Sequence, residues 1–240
     1  MPRLLYIHVP KCGGSSFGAA LRLRYAYSQA TIDLRRSRAM QKARAPFALG
    51  EDRIVAEYDQ RDRLLAELLK RGKHCIAAHV RYDPALHDTL AQDRAWITLL
   101  REPVDRFVSH YRYLQRKHPD PKRPDTLEAF LETPDAARIA SQYLFYFARV
   151  SQTLCSDVPA AVRAAQEALG RFALIGDLSR PAAFARGLRR ITGTPLPVLA
   201  RNRAPALAPA LSPGLTARIE QLCAADIAIY RHAQGLEVSV

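Results

Sequence analysis

Leu4-Leu5-Tyr6-Ile7-His8-Val9-Pro10-Lys11-Cys12-Gly13-Gly14-Ser15-Ser16-Phe17 is the stretch that decides the fold. Its first six residues are a short apolar run with β-branched members, the pattern of a strand buried on both faces. Pro10 to Ser16 is a loop with two glycines. Phe17 to Tyr25 then reads as a helix, with Phe17, Leu21 and Tyr25 on one side. A strand, a glycine loop and a helix in immediate succession make the opening of an α/β unit.

The rest of the chain repeats that alternation. Arg61 to Arg71 reads as a helix with Leu64, Leu65, Leu68 and Leu69 on one side, stopped by Gly72. Further strands are expected at Cys75–Val80, Ala95–Leu100 and Phe172–Ile175. Pro103 suits a first helical turn, and that helix runs to about Lys117. His118 to Pro124 is a proline-rich break. Helices follow at Leu127–Glu132, Ala136–Phe147, Ala160–Leu169, Pro181–Ile191 and Leu215–His232. Residues 194–213 carry five prolines and read as loop. Ser28 to Pro46 is basic and weakly periodic, and is read as a mobile or substrate-facing stretch. The expected fold is α/β, with a parallel central sheet flanked by helices in three layers, as one domain over residues 1–240.

Composition narrows the function classes. The 240 residues are 48% hydrophobic and 25% charged, which suits a globular chain rather than a disordered one. No apolar run reaches the length of a membrane span, and the first apolar run is too short and strand-like for a signal peptide. The four cysteines have no paired spacing, so free thiols in a reducing compartment are expected and no zinc ligand set is visible. Thirty-six basic residues against 23 acidic ones give +13. A polyanion is the partner class this implies: nucleic acid, acidic glycan or a nucleotide with several phosphates. Only six of the basic residues are lysine, so richness in arginine and alanine also points to a bias of the source genome.

The loop from Pro10 to Ser16 has the chemistry of a phosphate cradle. Glycines let backbone amides approach an anion, and a helix start presents unpaired N–H groups at the positive end of its dipole. Ser15 and Ser16 can add hydroxyls, and Lys11 a point charge. The pattern G-x-x-x-x-G-K-[ST] is not met, because Lys11 precedes both glycines. A second motif, LLREPVDRFVSHYRYL, puts Arg101 at the end of a strand and Ser109 about two turns into the next helix. That is the carboxyl edge where open α/β sheets hold ligands, and the pair could grip one phosphate. Arg106 is expected to pair with Glu102 or Asp105 or to face solvent.

Together, YIHVPKCGGSSF and LLREPVDRFVSHYRYL resemble the two cofactor motifs of sulfotransferases that use 3′-phosphoadenosine 5′-phosphosulfate (PAPS). The likeness is to the carbohydrate type, the heparan sulfate 2-O-sulfotransferase-like kind (sulfotransferase family 2). It implies a P-loop-like fold. It also implies a 5′-phosphosulfate loop made by Lys11, Cys12, Gly13, Gly14, Ser15 and Ser16, and a 3′-phosphate site made by Arg101 and Ser109. By the same resemblance Arg201 and Arg203 lie in a basic loop that covers the cofactor. Cys12 stands where threonine is common in the family. No metal is implied.

Transfer to an alcohol needs a base, and histidine suits neutral pH. His79, in Ala77-Ala78-His79-Val80-Arg81-Tyr82, resembles the G-H-V-x-[YF] segment whose histidine is the family's proposed base, with alanine in place of the glycine. His8 is expected to be structural and Glu57 is the reserve base. Lys11 would also stabilise charge on the transferring group. Ser141-Gln142-Tyr143-Leu144 resembles a further family segment, which makes Gln142 and Tyr143 expected acceptor contacts. Arg81 and the basic residues from Arg35 to Arg44 are candidate contacts to an acidic acceptor, with a solvated basic face the favoured reading of Arg35 to Arg44. The expectation is a bacterial, cytoplasmic, PAPS-dependent sulfotransferase acting on a carbohydrate or other hydroxyl acceptor, with no nucleic-acid partner. A nucleotide-dependent kinase of related topology and a non-catalytic polyanion-binding protein are the alternatives.

Overall fold

The computed structural model describes residues 1–198 and 211–237. Among these, five parallel strands form one sheet: β1 (Arg3–Ile7), β2 (Gln29–Ala30), β3 (Cys75–Ala78), β4 (Arg94–Leu100) and β5 (Leu174–Asp177), in the order β2-β3-β1-β4-β5. From β1 the chain runs out to the edge strand β2, returns to β3 between β2 and β1, and then crosses to β4 on the other side of β1. The order reverses beside β1, so the loop after β1 opens into the crevice where ligands sit in such sheets.

Both faces of the sheet are covered, as a parallel sheet requires. Along β1, Leu4 and Tyr6 pack on one side with Phe17 and Leu21 of α1 (Gly14–Arg24) and with Phe184 and Leu188 of α9 (Pro181–Thr192). Leu5 and Ile7 point the other way. They meet Leu64 and Leu65 of α3 (Gly50–Lys70), Leu169 of α8 (Val158–Leu169) and Ile229 of α11 (Ala224–Glu237). A third apolar cluster joins α5 (Pro103–Lys117), α6 (Leu127–Phe130), α7 (Pro134–Ala140) and α10 (Pro213–Leu222).

Several expectations change in detail. Ser28–Pro46 is not a mobile stretch: Leu34–Arg44 forms α2, capped by Asp33, whose carboxylate accepts from Arg35 N and Arg36 N. The helix expected from Arg61 begins at Gly50, and a further short helix, α4 (Pro84–Leu90), follows β3. Ala136–Phe147 is split into α7 and a π-helical turn at Leu144–Ala148. The closing helix is two helices that meet at Cys223.

Candidate active site

Beyond β1 the backbone makes a tight turn. Lys11 has φ 68° and Gly13 φ 72°, both left-handed, which for a lysine stores strain that only surrounding structure can hold. Gly13 is the residue ahead of α1, and no side chain among the described residues caps that helix. No acidic residue lies in its first turn either. The Gly14 and Ser15 N–H groups at its start have no partner among the described residues and are open to a ligand or to water. A methyl group on Gly14 would lie 2.3 Å from the His8 ring and 2.7 Å from the Tyr6 hydroxyl, so only glycine fits against that wall.

Lys11 has no acidic partner among the described residues. Its Nζ rests 4.0 Å from the centre of the Tyr113 ring. Burial, then Arg116 and Arg101, pull its pKa below the usual lysine value. Cys12 is buried, its Sγ 3.5 Å from the Tyr143 hydroxyl, and burial pushes the thiol up to about 11. It is a packed thiol, not a thiolate.

Arg101 leaves the end of β4 half-buried. Its guanidinium is 3.7 Å from Asp105, whose side chain is 68% exposed, a weak pairing that a phosphate could displace. The backbone of Arg101 is clamped: its N–H donates to the Tyr143 hydroxyl at 2.8 Å, and that hydroxyl donates back to the Arg101 carbonyl. Tyr143 thus touches both the cradle and the Arg101 junction from inside the core. It is fully buried, so the expectation that it faces the acceptor is corrected. Ser109 is half-buried two turns along α5.

His79 follows β3 directly. Its Nδ1 is 2.6 Å from the His8 carbonyl. A carbonyl only accepts, so Nδ1 carries the proton and Nε2 keeps the lone pair. Burial pushes His79 down to about 4, and Arg61 adds to this; the bond to His8 opposes it. The His8 and His79 rings stack at 4.3 Å, and His8 is pushed down to about 3, chiefly by burial. Both rings are neutral at neutral pH. Glu57, the reserve base, is already engaged: it accepts from Arg61 at 2.5 Å and from Ser37 at 3.4 Å, with Arg38 3.7 Å away.

Two arginines are corrected. Arg81 is 2% exposed and lies 2.5 Å from both Asp62 and Asp59, so it holds α3 to the segment after β3 instead of facing an acceptor. Its desolvated charge needs those partners. Arg106 neither pairs with Glu102 or Asp105 nor faces solvent. It is fully buried against Asp226 and donates to the carbonyls of Ile139 and Ala140. Asp226 in turn accepts from Tyr143 N and Leu144 N, which fixes the turn that carries Tyr143. Arg201 and Arg203 lie outside the described residues.

Beside the cradle opens a cleft of roughly 310 Å³. Pro10, Arg38, Arg61, Tyr113, Arg138 and Gln142 border it, so one member of the basic helix α2 reaches it. His79 is not among its bordering residues. His110 is, and sequence reasoning passed it over; its only signal was its place next to Ser109. Among the described residues no group of three His, Cys, Asp or Glu could hold a metal ion, and no helix is long and apolar enough to cross a membrane.

A family model described as galactose-3-O-sulfotransferase matches residues 41–167, more than half of the chain. The chain belongs to the galactose-3-O-sulfotransferase family. The carbohydrate type expected from the two motifs is thereby shown. The matched segment takes in His79, Arg101, Ser109 and Gln142, while the Lys11 cradle precedes it. Galactose-3-O-sulfotransferase 3 of Mus musculus is 34% identical over 91 residues, covering 37% of this chain and 21% of the mouse protein. The chain therefore matches about a fifth of that relative's length.

Proposed function

We propose that this member of the galactose-3-O-sulfotransferase family moves a sulfuryl group from PAPS to a hydroxyl of a carbohydrate. The observation that carries the reading is the start of α1: among the described residues no side chain caps it, and the strained Lys11 beside it has an aromatic ring and no acid for a partner. That is an anion site the described residues do not fill. Arg101 and Ser109 would hold the 3′-phosphate, which ATP lacks. The donor supplies an activated sulfuryl group on a phosphate leaving group.

The chain's residues divide the remaining work. Lys11 and the α1 amides neutralise the leaving phosphate oxygen as the S–O bond to it breaks. The acceptor oxygen forms the new S–O bond in line with it, and its proton passes to Nε2 of His79, the nitrogen left with a lone pair. Positioning and charge do most of this, as in phosphoryl transfer. The relatives' name makes a galactose 3-hydroxyl the first acceptor to try. Cytoplasmic work in a bacterium belongs to the same proposal, and the support for the compartment is four cysteines that are free.

Calorimetric binding of 3′-phosphoadenosine 5′-phosphate, with ADP as control, tests the reading. Binding that needs the 3′-phosphate and collapses in Arg101→Ala is expected. Equal affinity for the two nucleotides would overturn it.

A further inference from the structure

We infer that His110 is a saccharide-binding residue, which meets a hydroxyl of a neutral sugar in the cleft beside the cradle. The inference rests on the reading above for the sugar's role as acceptor. It goes beyond it in naming the residue and the charge state of the ligand.

His110 is 9% exposed, and its ring borders the cleft. Its Nδ1 is buried with no hydrogen-bond partner, and no described residue bonds to the ring. Nδ1 is sealed from solvent, so a ligand in the cleft meets the ring at Nε2, which also has no hydrogen-bond partner among the described residues and is the position a ligand can complete. Burial lowers its pKa, and Arg106, Arg138, Lys11 and His118 all act in the same direction. The ring is thus a neutral imidazole, with one N–H to donate and one lone pair to accept. A hydroxyl matches either role, because it donates and accepts.

The surrounding charges favour a neutral ligand. Arg61 lies 2.5 Å from Glu57, Arg38 is 3.7 Å from the same carboxylate, and Arg138 is 2.9 Å from Asp135. Arg61 and Arg38 share the Glu57 carboxylate and Arg138 has Asp135, so with Glu51 three carboxylates balance the three cleft arginines. Glu51, which also borders the cleft, accepts from the Ser151 and Thr153 hydroxyls. Lys11, in the cradle, has no such partner among the described residues. The cleft therefore separates a cationic end for a phosphate-bearing donor from a charge-balanced end for a hydroxyl-rich acceptor. Tyr113 and Phe145 supply aromatic surface along it.

The test is a titration of protein carrying ¹⁵N-labelled histidine, saturated with 3′-phosphoadenosine 5′-phosphate, with lactose, maltose, cellobiose and chitobiose. The His110 ring resonances are assigned by their loss in His110→Leu. At least one disaccharide should move them in a saturable way. His110→Leu should weaken that disaccharide about tenfold or more, His110→Asn should recover part of the loss, and nucleotide affinity should stay within twofold. Unmoved His110 resonances with all four sugars would overturn the inference. So would a variant that keeps full sugar affinity. In turnover the variant should raise KM and leave kcat; a collapse of kcat at unchanged KM would make His110 a base and overturn its assignment as a binding residue. Failure of the wild type to bind the nucleotide would overturn the proposed function instead, and a His110 shift with a sugar would survive that result.

Discussion

α1 and α5 leave the same edge of the sheet, one after β1 and the other after β4, strands that pair side by side. Their N-termini are built in opposite ways. α5 starts with Pro103, which removes one free donor, and the Glu102 carboxylate accepts from Val104 N at 3.0 Å and Asp105 N at 2.7 Å. Asp105 adds a second negative charge to that turn. α1 has a left-handed glycine, no side-chain cap and no acid. The dipoles are equivalent. What differs is whether the chain supplies its own anion, and only α1 leaves that place open. α5 contributes through its side chains, from Arg101 at its threshold and Ser109 along its length.

The largest way to break the comparison is Lys11→Ala. It removes a cation that has no acidic partner among the described residues and should lower kcat by about 10²–10³. Thermal melting should show the fold intact. Unchanged turnover would remove Lys11 from the reaction. Next comes Gly13→Asp, which makes α1 resemble α5. Aspartate tolerates the left-handed backbone, and the Leu178 side chain, whose tip lies 2.4 Å from the new Cβ, can yield. Its carboxylate would take the amides and repel phosphate, and calorimetry should show about 10–100-fold weaker nucleotide binding. Unaltered affinity would show that these amides are not the cradle.

A third prediction concerns the wall behind the open end, which is made of uncharged rings. His8, near 3, and His79, near 4, take up protons at lower pH folded than unfolded, where the usual value is 6.5. The unfolded state binds more protons in between. The stability these rings contribute is therefore present above 6.5 and lost as pH falls through about 4. Scanning calorimetry should show the midpoint dropping across that window, by about 2–4 °C for each kcal/mol withdrawn. His79→Gln should flatten the slope, and an unchanged slope would sink the assignment. Nucleotide affinity should stay level from pH 8 to 6, where rings titrating at 6.5 would strengthen it.

The open end was legible because its signals are local: an apolar run, a glycine pair and a helix face within one short stretch. Arg101 and Pro103 were legible for the same reason. α2 was not, because its buried positions are Ser37 and Gln41, and hydrophobic periodicity cannot report a helix that buries polar side chains. Arg106 was misread from its neighbours, since its partner Asp226 lies 120 residues away. Tyr143 looked like an acceptor contact in the sequence, yet it is the core hydroxyl that joins cradle to β4. His110 acquires meaning only when α3, α5 and α7 converge on the cleft. Contacts between distant segments carry no local signature, and these are the ones that finish the site.

The smallest prediction opens the closed helix. Glu102→Ala removes the cap of α5 and should lower stability by about 0.5–2 kcal/mol. It should not create a second anion site, because Pro103 still withholds one donor and Asp105 still repels. Nucleotide affinity should stay within twofold, since the side chains of Arg101 and Ser109, not the end of α5, would hold the 3′-phosphate. If affinity rose instead, the freed amides would be binding phosphate. The contrast between the two helices would then be one of occupancy alone, and the open dipole of any helix at this edge would be enough.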